Sequence, residues 1–159
     1  MNAPVKAVPD GYTTITPYLI VRGARRALEF YQKAFGATPR LCLPGAGGGI
    51  AHAELAIGSS VVMLADEFPG LDARCPHSLG GSPVSLLIYV DDVDATYAQA
   101  LAAGATALRP LENRFYGDRA GQVCDPFGHI WTLASRVEAI TAEQLAGRLE
   151  EMFGSIVPT

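Results

Sequence analysis

The sequence lacks the features that mark nucleic-acid-binding, membrane and secreted proteins. Its longest uninterrupted lysine or arginine run is Arg25-Arg26, and its formal net charge is −4, which argues against DNA or RNA as a partner. No apolar run approaches the roughly 20 residues that a membrane-spanning helix needs. The first 14 residues also lack the apolar centre of a signal peptide. We therefore expect a cytoplasmic protein with neither a membrane nor a nucleic-acid partner.

Cysteine is scarce. Cys42, Cys75 and Cys124 are an odd number with no Cys-x-x-Cys spacing, so free thiols in a reducing compartment are expected. There is no Gly-x-Ser-x-Gly motif, which argues against a serine-hydrolase nucleophile elbow. What the chain has in quantity is apolar residues, at 49%, against 18% charged residues. That composition in 159 residues indicates one globular domain with a sizeable core.

A repeat organises the chain. Leu19–Thr38 and Leu87–Thr106, 68 residues apart, align without a gap and agree at 7 of 20 positions. Each segment begins as an apolar run of strand length and continues with a helical period. Each then closes on a glycine, Gly36 or Gly104, suited to the left-handed position after a helix. The pattern predicts two similar modules packed together; the alternative is chance similarity, since alanine supplies three of the matches.

Apolar and alternating stretches extend each segment into a βαβββ module. In the first, strands are predicted at Thr13–Val21, Thr38–Leu43, Ile50–Ile57 and Ser60–Ala65, with a helix at Ala24–Phe35. In the second, strands are predicted at Val84–Val90, Ala107–Leu111, Gly121–Cys124 and His129–Ser135, with a helix at Val93–Ala103. A last helix, Thr141–Phe153, opens with capping-box spacing. We expect an α+β fold in which two βαβββ modules form curved mixed sheets around a cleft, followed by a C-terminal helix.

The predicted boundaries follow from these elements. Residues 1–12 are a tail, 13–67 the first module, 68–83 a linker, 84–136 the second module and 137–159 the C-terminal helix and tail, so that 13–136 forms one domain. The stretch Asp66–Pro83 contains three prolines and three glycines. It is longer than a usual connection, which leaves an ordered crossing and a mobile flap as alternatives.

Four stretches resemble a known superfamily: ITPYLIVRGARRALEFYQKAFGA, IAHAELAIGSSVVMLADE, YGDR and DPFGHIWTLAS. Together they are similar to the PhnB-like branch of the vicinal oxygen chelate superfamily. That superfamily includes glyoxalase I, extradiol dioxygenases, fosfomycin-resistance enzymes and bleomycin-resistance proteins. The resemblance implies paired βαβββ modules and a homodimer.

The resemblance also implies a divalent metal held by His or Gln, Glu, His and Glu, from the first and last strand of each module. Here those positions hold Thr16, Val62 or Met63, Ser85 and Thr132. None of these is a usual ligand of a hard divalent cation. We therefore expect no metal and no other cofactor. This difference from the family's metal ligands favours a likeness to the metal-free members, such as bleomycin-binding proteins, which bind and sequester small molecules.

The leading hypothesis is thus a metal-independent protein that binds a small organic molecule in the cleft between the modules. The expected ligand-binding residues mix aromatic, apolar, hydroxyl and cationic side chains: Thr16, Tyr18, Ser85, Leu87, Tyr89, Arg114, Tyr116, Arg119 and Thr132. The two arginines can clamp an anionic group. The alternative is that Arg119 pairs with Asp118 or fixes its loop.

His52 and Glu54 support a different hypothesis, an enzyme. At spacing i, i+2 on a strand their side chains lie side by side, within reach of a shared proton or ligand. They can act as an acid–base pair or as two ligands of a relocated metal, with Asp66 or Glu67 as a third, in a lyase, isomerase or dioxygenase-like reaction. The alternative is a solvated strand face with a local contact. A groove that receives a partner's helix is a third hypothesis.

His129 and Trp131 are expected to have structural roles. His129 follows a turn on the side of the strand opposite Thr132, and Trp131 is expected to anchor the core behind this strand. An aromatic shelf under a planar ligand is the alternative for Trp131.

Overall fold

Two four-stranded sheets with the same strand order form the framework in the computed structural model, which describes residues 5–154. The outermost parts of the predicted tails, residues 1–4 and 155–159, lie outside the described residues. The first sheet is built from β1 (Tyr18–Val21), β2 (Thr38–Pro44), β3 (Ile50–Ile57) and β4 (Ser60–Asp66), in the order β1-β4-β3-β2, with α1 (Ala24–Phe35) on one face. We call this unit module 1.

Module 2 repeats the plan after a linker that carries the single-turn helix α2 (Pro76–Leu79). It is built from β5 (Ser85–Tyr89), α3 (Val93–Ala103), β6 (Thr106–Asn113), β7 (Asp118–Cys124) and β8 (Ile130–Arg136), with the sheet order β5-β8-β7-β6. In both sheets the first and fourth strands are parallel and the other pairs antiparallel. With the C-terminal helix α4 (Ala142–Phe153), this confirms the predicted α+β fold. No helix within residues 5–154 is long and apolar enough to cross a membrane.

The core lies between the helices and the sheets. Helix α1 buries Ala27, Phe30, Tyr31 and Ala34, which recur every three or four residues and so share one face. Gly36 ends the helix with φ of 63°, in the left-handed region that only glycine enters without strain. Helices α1 and α3 pack against each other, so the two modules share one hydrophobic core.

A buried carboxylate in the turn between β7 and β8 joins the modules. Asp125 accepts the backbone N–H groups of Phe127 and His129 on Oδ1, both at 2.9 Å. Its Oδ2 accepts the Tyr31 hydroxyl at 2.7 Å and the Trp131 indole N–H at 2.8 Å. Burial, reinforced by the Asp125 charge, raises the pKa of Tyr31 well above its ordinary value, so the phenol remains a donor. Trp131 is 1% exposed, as expected for a core anchor.

Two further residues, His129 and Gln99, make side-chain hydrogen bonds across the seam between the modules. His129 Nε2 lies 3.0 Å from the carbonyl oxygen of Ile20 at the end of β1, which gives this histidine the expected structural role. Gln99 of α3 donates to the carbonyl oxygen of Lys33 on α1 at 2.6 Å. The edge strands β1 and β5 belong to separate sheets, so side chains rather than a strand ladder hold the seam.

Hydrogen bonds join the linker to module 1, which favours an ordered crossing over a mobile flap for this segment. Arg22 donates to Glu67 at 3.0 Å and to the Ser78 hydroxyl at 2.7 Å, and the Cys75 N–H donates to Glu67 at 3.0 Å. Hydrogen bonding by Ser78, by the Cys75 N–H and by Arg22 lowers the pKa of Glu67 from 4.5 to about 2. The carboxylate therefore ties the linker to the end of β1.

The predicted first strand is wrong in its first half, because β1 begins at Tyr18 rather than Thr13. In the preceding segment the Thr13 hydroxyl donates to the Ile15 carbonyl at 2.6 Å, and the Thr16 hydroxyl donates to the Thr13 carbonyl at 3.2 Å. Such local side-chain bonds compete with a strand ladder. Pro17 has no N–H to contribute, although its carbonyl accepts the Met63 N–H at 2.9 Å.

The repeat holds, but its register in the strands differs from the ungapped alignment. Leu19 is 6% exposed whereas Leu87, its aligned partner, is 50% exposed and lies on the opposite face. Val21 and Val90 each stand three residues before their helix, so the strands correspond at a spacing of 69 residues. Helix α3 is one residue shorter than α1, with 11 residues against 12, which restores the spacing of 68 at Gly36 and Gly104.

We predict that Asp125→Asn lowers the free energy of unfolding by about 3 kcal/mol, because an amide NH2 must then face buried donors. Urea denaturation followed by tryptophan fluorescence measures the change. Asp92→Asn at the exposed N-cap of α3 is the control, since asparagine also caps helices, and it should change stability by less than about 0.5 kcal/mol. Equal effects of the two substitutions would contradict the role of Asp125.

We predict that Glu67 makes stability dependent on acid pH. Because its folded pKa is lowered, its contribution is complete above about pH 4.5 and is lost as the pH falls towards about 2. The difference in unfolding free energy between the wild type and Glu67→Gln should shrink across that window, as measured by denaturation at a series of pH values. Glu29→Gln, an exposed change on α1, is the control. A difference that is constant with pH would exclude this linkage.

Candidate functional site

One face of each sheet carries its helix and the other is open, and we call the latter the open face. Side chains alternate along strands, and residues paired across rungs share a face. In module 1, Tyr18 pairs with Met63, which pairs with Glu54, so these three residues share the open face. His52 and Ile20 lie on it by alternation. The predicted pairing of His52 and Glu54 on one strand face is therefore present in the structure.

A continuous chain of hydrogen bonds crosses the open face of module 1. The Tyr18 hydroxyl lies 3.0 Å from His52 Nδ1, and His52 Nε2 lies 3.1 Å from Glu54 Oε1. The Tyr12 hydroxyl donates to the other carboxylate oxygen, Glu54 Oε2. The four side chains come from β1, β3 and the segment before β1. They form a larger cluster than the two-residue pair expected from the sequence.

Glu54 sets the direction of every hydrogen bond in this chain. Its pKa is lowered by the Tyr12 hydrogen bond and then by that of His52, so the carboxylate stays ionised although the residue is only 7% exposed. An ionised carboxylate only accepts, so His52 Nε2 donates to it, and in the neutral imidazole with this tautomer Nδ1 accepts from Tyr18. The Glu54 bond raises the pKa of Tyr12, whose ring lies 4.8 Å from the Arg40 guanidinium carbon.

Two cavities adjoin this cluster, and Tyr18 and Ile20 line both. One, of about 540 Å³, lies over module 1 and is walled by Ile50, Ala65 and Phe68 together with the loops around residues 45–49 and 66–73. The other, of about 400 Å³, lies between the modules and is lined across the seam by residues that include Val84, Leu86, His129 and Ile130. We call the two together the Tyr18 groove. Its walls are mainly apolar.

A third cavity, of about 670 Å³, lies further along the seam between the modules. Leu87 and Tyr89 line it, with Pro17 on the side of module 1. The Tyr89 hydroxyl donates to Asp118 at 2.8 Å, and this bond raises the pKa of Tyr89. Of the residues proposed for ligand contact, the structure thus places Tyr18 in the Tyr18 groove and Leu87 and Tyr89 in the third cavity.

The remaining proposed ligand residues have other partners or positions. Thr16 lies in a separate cavity beside Tyr12, Glu54 and Met63. Thr132 accepts a hydrogen bond from Gln122 at 3.3 Å. Ser85 is exposed at the start of β5, and Tyr116 is 41% exposed beside Phe115.

Both arginines proposed as anion clamps are engaged in ion pairs. Arg119 makes a two-pronged contact with Asp94 of α3 at 2.6 and 2.8 Å, which lowers the pKa of Asp94. Arg114 contacts Glu112 at 3.1 Å. Arg119 does not pair with its neighbour Asp118, because the two alternate on β7 and point to opposite faces.

The side chains at the family's metal positions do not fit a divalent cation. By the register of the two modules, Thr16 corresponds to Ser85, and Met63 rather than Val62 corresponds to Thr132. Three neutral hydroxyls and a thioether make a poor donor set for a hard divalent ion.

The two carboxylates expected as a third ligand beside His52 and Glu54 are engaged elsewhere. Asp66 accepts the N–H groups of Gly23 and Ala24 at the start of α1 and that of Ile50, all at 2.8 Å. Glu67 is held by the linker. Across residues 5–154, no group of three or more His, Cys, Asp and Glu side chains is placed to hold a metal.

Comparison with known proteins identifies the family. Residues 11–133 match the model of the Glyoxalase/Bleomycin resistance protein/Dioxygenase superfamily. The chain belongs to this superfamily. It is 42% identical over 134 residues to the Mycobacterium tuberculosis protein Rv0887c, covering 82% of this chain and 79% of that one.

Solved structures with related sequences share the fold. TioX from Micromonospora sp. ML1 is 28% identical with a TM-score of 0.63, over 79% of this chain and 99% of that one. The PhnB protein of Bacillus cereus is 21% identical with a TM-score of 0.59, over 77% and 99% of the two chains. The predicted resemblance to the glyoxalase/bleomycin resistance/dioxygenase superfamily is confirmed by the match to its family model.

Tyr12 is the residue of the cluster that sequence reasoning missed. It was assigned to a tail because it follows two prolines and a glycine, and its partner Glu54 lies 42 positions along the chain. No local sequence pattern predicts a contact between residues so far apart in the chain.

We predict that Tyr12→Phe raises the pKa of Glu54 towards its ordinary value of 4.5, because the strongest hydrogen bond to the carboxylate is removed. Titration of the carboxyl ¹³C shift by NMR measures the change. Tyr89→Phe removes a comparable tyrosine–carboxylate bond in module 2 and should leave Glu54 unaltered. An unchanged titration in Tyr12→Phe would show that Glu54 does not depend on Tyr12.

Proposed function

We propose that the protein binds a small organic molecule in the Tyr18 groove and needs no metal to do so. The observation that carries this proposal is the pair of adjoining cavities, about 540 and 400 Å³, that share Tyr18 and Ile20. Sites for small molecules commonly have volumes of about 300–1,000 Å³, mostly apolar walls and a few polar groups. The groove spans the seam, so the proposed site uses both modules.

The chemistry of the groove indicates the kind of ligand. Ile20, Ile50 and Ala65 offer an apolar floor, while Tyr18 and Phe68 offer aromatic rings. Besides the Tyr18 hydroxyl, with His52 behind it, polar side chains that already have partners line the groove: Asp66, Glu67, Arg74, Ser82 and His129. Because the clamp arginines are paired elsewhere, an uncharged, partly aromatic or amphipathic molecule suits these walls better than a strongly anionic one.

Family membership supports the proposal at a general level. Members of the superfamily typically bind small molecules and form oligomers, and its name includes bleomycin resistance proteins. We further propose a homodimer. Its support is the number of large apolar side chains left exposed on the strands, which include Leu41, Leu43, Leu87 and Leu108. We propose that residues 13–136 form the binding domain and that the protein acts in the cytoplasm.

Binding of two probes tests the proposal. Fluorescence titrations with two uncharged aromatic probes, N-phenyl-1-naphthylamine and 1-naphthol, should show saturable binding of at least one probe, unchanged by EDTA. Ala65→Leu places a larger side chain in the groove and should weaken that binding by about tenfold or more, equivalent to about 1.4 kcal/mol.

Ala107→Leu, the same change at an exposed position of β6, is the matched control and should bind as the wild type does. Loss of binding in EDTA would contradict metal independence. Equal binding by the wild type and Ala65→Leu would place the site elsewhere, and binding of neither probe would contradict the apolar character assigned to the groove.

A further inference from the structure

We propose that Tyr18, His52 and Glu54 form a proton relay in which Tyr18 acts as an acid–base group on the molecule bound in the groove. The inference rests on the proposed function for its substrate, but its chemistry is carried by the hydrogen-bond chain. Tyr18 is the member that reaches the cavities, since it lines both parts of the groove and is 48% exposed. His52 and Glu54 act through it and are positioning residues.

The direction of the chain makes the relay possible. With His52 neutral and its proton on Nε2, each hydrogen points towards Glu54: from the Tyr18 hydroxyl to His52 Nδ1 at 3.0 Å, and from His52 Nε2 to Glu54 Oε1 at 3.1 Å. An imidazole held in this tautomer by a carboxylate can accept a proton from a hydroxyl, and the carboxylate then stabilises the imidazolium. Here the hydroxyl is a phenol rather than that of a serine.

The surroundings favour a charged carboxylate at the far end. Tyr12 donates to the second oxygen of Glu54, and the Arg40 guanidinium lies over the Tyr12 ring. Met63 is the neighbour of both Tyr18 and Glu54 across the strand rungs and contributes no charge. On the other side, His52 pairs with Leu43 of β2, which is also uncharged. Within residues 5–154, the titratable and charged groups that face His52 are therefore Tyr18 and Glu54, with Tyr12 and Arg40 behind them.

The step needs no co-reactant. The Tyr18 proton moves to His52 Nδ1, and the phenolate oxygen takes a proton from an acidic C–H or O–H of the bound molecule. Reversal returns a proton to the same atom or, after the electron pair has shifted along a conjugated system, to another atom. The substrate class is a carbonyl compound with an acidic hydrogen on the adjacent carbon. The net reaction is proton exchange or isomerisation, in which nothing is oxidised or reduced.

Tyr89 provides an internal comparison. It also lies on an open face, with greater exposure at 63%, and its hydroxyl also donates to an acidic side chain. Its partner Asp118 is bonded to it directly, without an imidazole to receive the proton, and the bond raises the pKa of Tyr89. Exposure alone would make Tyr89 the more reactive tyrosine, whereas the relay predicts the opposite order.

Acetylation by p-nitrophenyl acetate tests the relay without any natural ligand. The Tyr18 oxygen forms an ester bond with the acetyl carbon, p-nitrophenolate leaves with the electrons of the broken bond, and the Tyr18 proton passes to His52. Peptide mass spectrometry at neutral pH gives the rate at each tyrosine in the full chain. Tyr18 should be acetylated at least about tenfold faster than Tyr89, a difference of about 1.4 kcal/mol in barrier.

Variants separate the relay from simple accessibility. His52→Gln should reduce the Tyr18 rate to that of Tyr89, Glu54→Gln should reduce it less, and neither should alter Tyr89. The pH profile of the Tyr18 rate should contain a step in the wild type that is absent in His52→Gln, because the relay requires an imidazole that can accept the proton. Circular dichroism and an unchanged Tyr89 rate establish that the variants are folded.

Similar rates for Tyr18 and Tyr89, or a Tyr18 rate that His52→Gln leaves unchanged, would overturn the relay. Neither result would bear on probe binding in the groove, which the Ala65→Leu comparison tests separately. Conversely, a groove that binds neither probe would leave a fast, histidine-dependent acetylation of Tyr18 intact as evidence for the relay.

Discussion

The Asp125 carboxylate is the interaction on which the arrangement of the two modules depends. It accepts four hydrogen bonds, two from its own turn, one from Trp131 on β8 and one from Tyr31 on the helix of the other module. A buried charge with all its acceptor sites filled is stable, whereas the same charge with one donor missing is costly. The relative position of α1 and β8 is therefore fixed at one point, and the seam along which the groove runs is fixed with it.

Two other carboxylates, Glu54 and Asp118, also fix the positions of hydrogen-bond donors, but on the open faces of the sheets. The two differ in how they contact a tyrosine. Glu54 holds an imidazole between itself and Tyr18, whereas Asp118 bonds Tyr89 directly. A direct bond to a carboxylate keeps the hydroxyl proton on the tyrosine, as in Tyr89. An imidazole between the two groups, as in Tyr18–His52–Glu54, can accept that proton. The two modules share a fold, but they present chemically different open faces, and only that of module 1 offers this route among the residues the structure describes.

The fold was predictable because its signals are local. Strand alternation, helical period and glycine stops placed the eight strands and the main helices, and the capping box of Thr141 and Gln144 formed as expected. The site was less predictable. His52 and Glu54 were found from their spacing, but Tyr12 joins them from 42 positions away. The ungapped alignment of the repeat also gave the wrong strand register. It aligned Leu19 with Leu87, although Leu19 is buried and Leu87 is exposed. Burial, not identity, gives the true register.

The seam itself has a mechanical consequence. The two sheets meet through side chains such as His129 and Gln99 rather than through a shared ladder. A continuous sheet has a strand spacing imposed by backbone geometry, about 4.8 Å, and cannot be widened without breaking rungs. A junction of side chains has no such fixed spacing. Substitution of a few side chains at the seam can therefore change the width of the space between the two modules. The strand order within each sheet would stay the same.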